Sequence, residues 1–380
     1  MPEGVKVAAS ASRDIGKSEA RATYVYVSNA DDGDISTYRL VDAGDLVPGA
    51  RVRVAKGVMP MAVSPDRRFL YAVSRSVPCT IHVLAIDPRT GALMPASTSP
   101  LAESLPYISF DKTGRFLFGA SYAASLVTVA GIGADGRVGP EALQVIPVGR
   151  NAHSIRVDAT NRFVYVPTLG SDAVFMFTFD AKSGMLASST PALQLTSPGS
   201  GPRHFVISGD NRFLYLLCEM TAEIVTLAIA PRTGGLTVAS SVSGLSPDCT
   251  LVPGAPRGGP PTRNLERDIW AADIHLTPNG KFIYLSERTG STLNVFGVDG
   301  ATGTLTYRST HPTERQPRGF AIDPRGRYLV ASGEKSEMIS LYAIDPDTGA
   351  LQLRNRFPTG KGANWVEIVS FEVETAASPE

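Results

Sequence analysis

The sequence predicts an all-β fold built from repeated four-stranded antiparallel sheets, and three features carry that prediction. Apolar residues alternate at period 2 in short runs punctuated by Gly, Pro and Asp, and no segment sustains a helical period. A unit of near-constant length recurs. Aligned on an aromatic that follows Arg or Lys, it gives Phe69, Phe116, Phe163, Phe213, Phe282 and Tyr328, at intervals of 47, 47, 50, 69 and 46 residues. Fragments of one further unit flank the array. Units of this length, each with about four strands, are the pattern of a β-propeller.

Each unit reads in the same order. A short alternating run follows the aromatic, as in FLYAVS, FVYVPT, FLYLLC and FIYLSE. A second apolar run comes next, such as TIHVLAID or MISLYAID, and a turn of the DPRTGAL or DPDTGAL kind closes the unit. Six complete units account for residues 60 to about 356. The leftovers are TYVYVSN with DISTYRL at 23–40, which lack an inner strand, and NWVEIVSFEV at 364–373, an inner strand without companions. Together they predict a seventh blade that closes the ring with the N- and C-terminal strands, removing an edge that an open array would have to protect. A stacked solenoid would want capping units, and none is visible.

On this reading residues 1–22 form a mobile leader, 23–373 a single seven-bladed propeller and 374–380 a tail. The interval of 69 marks an insertion at 243–268, rich in Pro and Gly and longer than an ordinary connector.

Composition narrows the function classes. Lys+Arg and Asp+Glu are equal at 36 each, so no global field recruits nucleic acid or an anionic membrane. No window of 18 apolar residues suggests a membrane-spanning helix. Cys79, Cys218 and Cys249 are odd in number, far apart and without a CxxC pair, which argues against a disulfide framework or a zinc site and for a reducing cytoplasm. Cys218 reads as a small buried strand residue rather than a nucleophile. No dinucleotide fingerprint, P-loop, GxSxG elbow or acidic calcium cluster is present, so neither cofactor nor metal is expected.

In a four-stranded antiparallel blade the first strand starts on the face where the second and fourth end. Ten residues before each aromatic stand Met59, Pro106, His153, Arg203, Ala272 and Arg318; six residues after stand Arg75, Tyr122, Leu169, Glu219, Arg288 and Glu334. The polar members should converge on one mouth of the central channel, with the insertion above them. A purely structural repeat would tend to reuse one residue type here, whereas these positions vary in charge. Arginines there would recognise a carboxylate or phosphate through bidentate bonds and stabilise an oxyanion. A carboxylate or imidazole would activate water. That set suits the opening of an activated cyclic ester. His153, Arg203, Glu219 and Arg288 are the candidate catalytic residues, with Arg318, His204, Asp273 and His275 as candidate substrate ligands. His204, Asp273 and His275 could equally brace neighbouring blades, and the arginines could merely neutralise channel carboxylates. Between the two candidate bases His153 is favoured, because Arg203 beside Glu219 would weaken that carboxylate as a base. An imidazole with an unperturbed pKa of ~6.5 would give an acid limb near pH 6, and nearby arginines would lower that pKa, keeping His153 neutral but a somewhat weaker base.

The stretches AHSIRVD (152–158), GPRHFVIS (201–208), DIWAADIHLTPNGKFIYLSERTGSTLNVF (268–296), PTERQPRGFAID (312–323) and ASGEKSEMISLYAID (331–345) resemble the seven-bladed propeller lactonases, of the bacterial 6-phosphogluconolactonase type related to carboxy-cis,cis-muconate cyclase. The resemblance covers about residues 23–373. It implies a cytoplasmic, cofactor-free hydrolase opening 6-phosphogluconolactone in the pentose phosphate pathway. The cyclase's His, two Arg and Glu fall by motif on His153, Arg203, Arg288 and Glu219. The expected partner is a small anionic lactone, with no nucleic acid or membrane, and the chain is expected to be a monomer or weak oligomer. A muconate cycloisomerase, a lactonase for another sugar or organic acid, and a non-catalytic binding platform are the alternatives. A platform would carry its distinctive residues on the outer rim rather than at the channel ends.

Overall fold

Seven four-stranded antiparallel sheets make up the computed structural model, which describes residues 21–256 and 264–372. Most of the expected leader and tail lies outside the described residues. Six blades follow one another along the chain, with first strands at Val58–Val63, Tyr107–Phe110, Arg156–Val157, Pro202–Ile207, Ala271–Leu276 and Phe320–Ile322. We number these blades 1 to 6. Blade 7 is assembled from both ends: Ala363–Glu372 is its first strand, followed by Arg21–Asn29, Asp34–Val41 and Asp45–Arg53. Pairing runs from Arg21 opposite Glu372 to Asn29 opposite Ala363, so the ring closes as the sequence predicts. First strands of neighbouring blades touch around the axis.

The two recurring motifs turn out to be partners. The aromatic of each unit packs over the glycine in the third-to-fourth-strand turn of the next blade: Phe69 over Gly136, Phe116 over Gly184, Phe163 over Gly234, Phe213 over Gly303, Phe282 over Gly349 and Tyr328 over Gly44. Tyr24 of blade 7 covers Gly91 of blade 1 and completes the circle. At Gly234 φ is +70°, and a Cβ would collide with the Phe163 ring, so backbone conformation and packing both require glycine. The preceding basic residue adds a cation–π contact on five of these rings, as with Arg162 at 5.0 Å from Phe163. Second-strand tyrosines tie blade to blade as well, Tyr165 Oη donating to the Gly234 carbonyl at 2.9 Å and Tyr284 Oη to Gly349 at 2.7 Å. The apolar core accordingly lies between blades, as where Tyr71, Val73 and Val83 of blade 1 meet Ile108 and Leu117 of blade 2.

The 243–268 insertion leaves the fourth strand of blade 4 (Leu236–Ser243) and precedes blade 5. Its described parts pack behind the end of the second strand of blade 4. Gly244 N–H donates to the Ala222 carbonyl and Gly254 N–H to that of Met220. They stand at the channel end where Glu219 lies; residues 257–263 fall outside the described residues. Among the described residues no helix is long and apolar enough to cross a membrane.

Candidate active site

The mouth positions derived by counting do meet in space. The first strand of blade 4 carries a bulge between Pro202 and His204, so Arg203 escapes the ladder and turns its side chain to the channel end. Arg203 is fully buried, with Nε 2.7 Å from Glu219 Oε2. Its Nη1 donates to the Ala272 carbonyl, and its Nη2 is buried without a partner. Glu219 follows the second strand of the same blade, Phe213–Cys218. From blade 5, Arg288 brings Nη2 to 3.0 Å from the same Glu219 oxygen. Arg288 also donates to the Trp270 and Ala271 carbonyls, and its guanidinium lies 3.7 Å from the centre of the Trp270 ring. Trp270 Nε1 donates to the other Glu219 oxygen at 3.1 Å.

Electrostatics follow from this packing. Burial alone would raise the Glu219 carboxyl, but Arg288, Arg203 and Arg318 outweigh it and hold it below the usual carboxylate range. Burial, then the Arg288 charge, brings Arg203 down to about 9; burial brings Arg288 down to about 10 against the pull of Glu219. Both remain cations at neutral pH. Arg318, from the start of blade 6, sits 3.7 Å from Glu334, whose other oxygen accepts from Gln316 Nε2 at 2.7 Å.

His153 precedes the first strand of blade 3 and is 5% exposed. Its ring lies edge-on to Tyr122 at 5.5 Å and to His204 at 5.2 Å, and Nδ1 is buried without a partner. Burial, with Arg203, His204 and Arg318 adding to it, holds the imidazole well below its ordinary value. It is therefore neutral across the physiological range, and an acid limb near pH 6 does not belong to it.

His204, Asp273 and His275 lie further along the channel. His204 Nδ1 is 2.8 Å from Asp273 Oδ1, and His275 Nε2 is 3.0 Å from Asp273 Oδ2. This chain braces blade 4 against blade 5. It also forms part of the wall of a cavity of about 500 Å3 that runs toward the other mouth, with Tyr107, Phe320 and Glu367. Burial and Arg203 bring His204 down to about 3 despite its Asp273 bond. Burial pushes Glu367 up to about 7, against the bond from Trp365 Nε1.

Counting from the aromatic missed Trp270, because it precedes its strand and has no counterpart in the other units. It missed Glu367 for a related reason, since blade 7 takes its first strand from the far end of the chain. Cys218 is buried at the end of its strand, and burial pushes its thiol up to about 12, consistent with a packing residue. His82 and His311 are half-buried.

A family model described as a lactonase, seven-bladed β-propeller, matches residues 22–368. The 6-phosphogluconolactonase of Pectobacterium carotovorum is 36% identical over 301 residues, covering 79% of this chain and 84% of that one. The enzyme of the same name from Serratia proteamaculans is 37% identical over 300 residues with the same coverage. Among solved structures, the periplasmic gluconolactonase of Pseudomonas aeruginosa superposes with a TM-score of 0.79 at 24% identity, covering 92% of this chain and 99% of that one. A protein from Lactobacillus plantarum gives 0.80 at 23%, covering 92% and 100%. At these identities the structural likenesses speak for the fold alone.

Proposed function

The chain belongs to the seven-bladed β-propeller lactonases, a family of lactone-hydrolysing enzymes, and on that premise we propose that it opens 6-phospho-D-glucono-1,5-lactone to 6-phosphogluconate by arginine-assisted hydrolysis. One observation carries the mechanism: Glu219 holds Arg203 and Arg288 side by side at a channel mouth, within the same cluster as a neutral His153.

In this reading the buried guanidiniums polarise the lactone carbonyl and stabilise the oxyanion as water adds to the carbonyl carbon. Their geometry is fixed before substrate arrives, because Glu219 and the backbone carbonyls of Trp270, Ala271 and Ala272 hold them. His153 takes a proton from the attacking water as the new C–O bond forms. The ring ester C–O bond then breaks, and the departing ring oxygen receives that proton. The acid product ionises and releases one proton to solvent. Glu219, locked between two arginines and Trp270, orients rather than accepts. Arg318 is a substrate ligand. An activated ring ester has a low intrinsic barrier, so guanidinium electrophiles suffice without a metal.

Loss of 6-phosphogluconolactone with purified protein, after subtraction of spontaneous opening, tests the reading. Acceleration that disappears in Arg288→Met supports it. A rate no faster than the spontaneous one, or turnover of a carboxylated muconate in its place, overturns it.

A further inference from the structure

Arg203 and Arg288 are already committed to Glu219 and to backbone carbonyls. A third guanidinium at the same mouth has no such commitment. Arg75 follows the second strand of blade 1 (Phe69–Ser74), the position that Glu219, Arg288 and Glu334 occupy in their own blades. Its Nε donates to Ser104 Oγ at 2.9 Å, which fixes the side chain without neutralising it. Among the described residues no carboxylate lies within ion-pair distance of it. Burial, then repulsion from Arg318 across blade 7, weakens its hold on the proton, only partly offset by Cys79 and Glu334. Arg318 itself has a loose contact with Glu334 and a buried Nε without a partner.

A half-buried cation placed against another cation is unfavourable unless an anion completes the site. At this mouth Arg203 and Arg288 share Glu219, and Asp273, which also acts on Arg203, is held by His204 and His275 further along the channel, so Glu334 alone faces both Arg75 and Arg318 and positive charge is left over on that side. A phosphate monoester carries about −1.5 to −2 at neutral pH and offers three acceptor oxygens to planar guanidinium forks. A neutral sugar lactone would leave the surplus uncompensated.

Resting on the lactonase reading above, we propose that Arg75 and Arg318 form a clamp for the phosphate of the substrate, separate from the Arg203–Glu219–Arg288 cluster that handles the ring ester. The clamp selects phosphorylated over unphosphorylated lactones. Arg75 is thus a specificity-determining residue, and Ser104 positions it.

Wild type, Arg75→Met and Arg75→Lys are assayed on 6-phosphogluconolactone and on glucono-1,5-lactone, with thermal melts to establish folding. A charge-assisted contact of this kind is worth about 10- to 100-fold. The ratio of kcat/KM for the phosphorylated over the unphosphorylated lactone should fall by that factor in Arg75→Met. It should fall less in Arg75→Lys, which keeps the charge and loses the fork. If Arg75→Met does not fold, the lysine variant decides by the same ratio. An unchanged ratio overturns the clamp while leaving the lactonase reading intact. If wild type accelerates neither lactone, calorimetric titration with inorganic phosphate decides instead. Binding weakened at least about tenfold by Arg75→Met supports the clamp although the lactonase reading has failed, and equal or absent binding overturns it.

Discussion

Arg203 Nε and Glu219 Oε2 stand 2.7 Å apart in a fully desolvated contact, and Arg288 shares the same carboxylate oxygen at 3.0 Å. One negative charge therefore keeps two buried cations compatible. Glu219→Gln removes that charge and leaves the guanidiniums opposed. Breaking a buried ion pair from one side costs about 3–5 kcal/mol, because the remaining charge stays desolvated. Urea unfolding should show Glu219→Gln destabilised by that order, with part of the loss recovered in the Glu219→Gln, Arg203→Met double variant. A loss under about 1 kcal/mol for the single variant would mean that Glu219 is not what holds the arginines.

Ring closure makes a different demand. Ala363–Glu372 pairs along the whole of Arg21–Asn29 and buries Val366 and Val369 between blades. Deleting 363–372 would uncover the edge of Arg21–Asn29 and the blade 1 face beside it, an aggregation template. That variant should unfold or aggregate, whereas removal of residues 1–20 should leave the melting temperature within a few degrees. Equal behaviour of the two truncations in thermal melts and light scattering would show that closure contributes nothing.

The repeat was legible because its two motifs answer to one contact: each aromatic needs the next blade's glycine, so both recur with the unit. The candidate cluster at the channel mouth was legible for a related reason. Identical scaffold positions put His153, Arg203, Glu219 and Arg288 at one channel end, and spacing alone locates such positions. What spacing does not carry is burial. The burial of His153 and His204, which moves their titration, comes from Tyr107 and Tyr122 of blade 2 and Trp365 of blade 7. Trp270 was equally hidden, since its contact with Arg288 depends on a segment that no other blade repeats.

That burial has a consequence for stability against pH. In the unfolded chain His204 titrates near ~6.5, while in the folded protein it is brought down to about 3. Between these values the unfolded chain holds a proton that the native state refuses. The stabilisation is complete above pH 6.5 and drains away as pH falls toward 3, by about 1.4 kcal/mol per pH unit per histidine. His153 shifts in the same direction and adds to the slope. Glu219 and Asp273, both held below the usual carboxylate range, begin to contribute only below their unfolded values near ~4. Urea midpoints measured from pH 7 to pH 5 should therefore decline in wild type and decline less steeply in His204→Gln. A flat wild-type profile over that interval would contradict the assignment.

The same shift fixes what the rate should do. If His153 accepts the proton from water, it must be neutral, and its depressed pKa keeps it so at neutral pH. The cost is basicity: an imidazole that binds protons weakly is a weaker general base, which the buried arginines offset by lowering the demand on it. Glu219 is worse placed, since Arg288, Arg203 and the Trp270 indole occupy its oxygens. Profiles of kcat/KM, corrected for spontaneous opening, should run flat between pH 6 and pH 8 in wild type, with the acid limb displaced below pH 6. His153→Ala should lose about 10²–10⁴ in rate and lose that limb. His153→Gln, which keeps polarity without basicity, should not rescue it. If instead the limb survives in His153→Ala and vanishes in Glu219→Gln, the carboxylate is the base and His153 only shapes the channel.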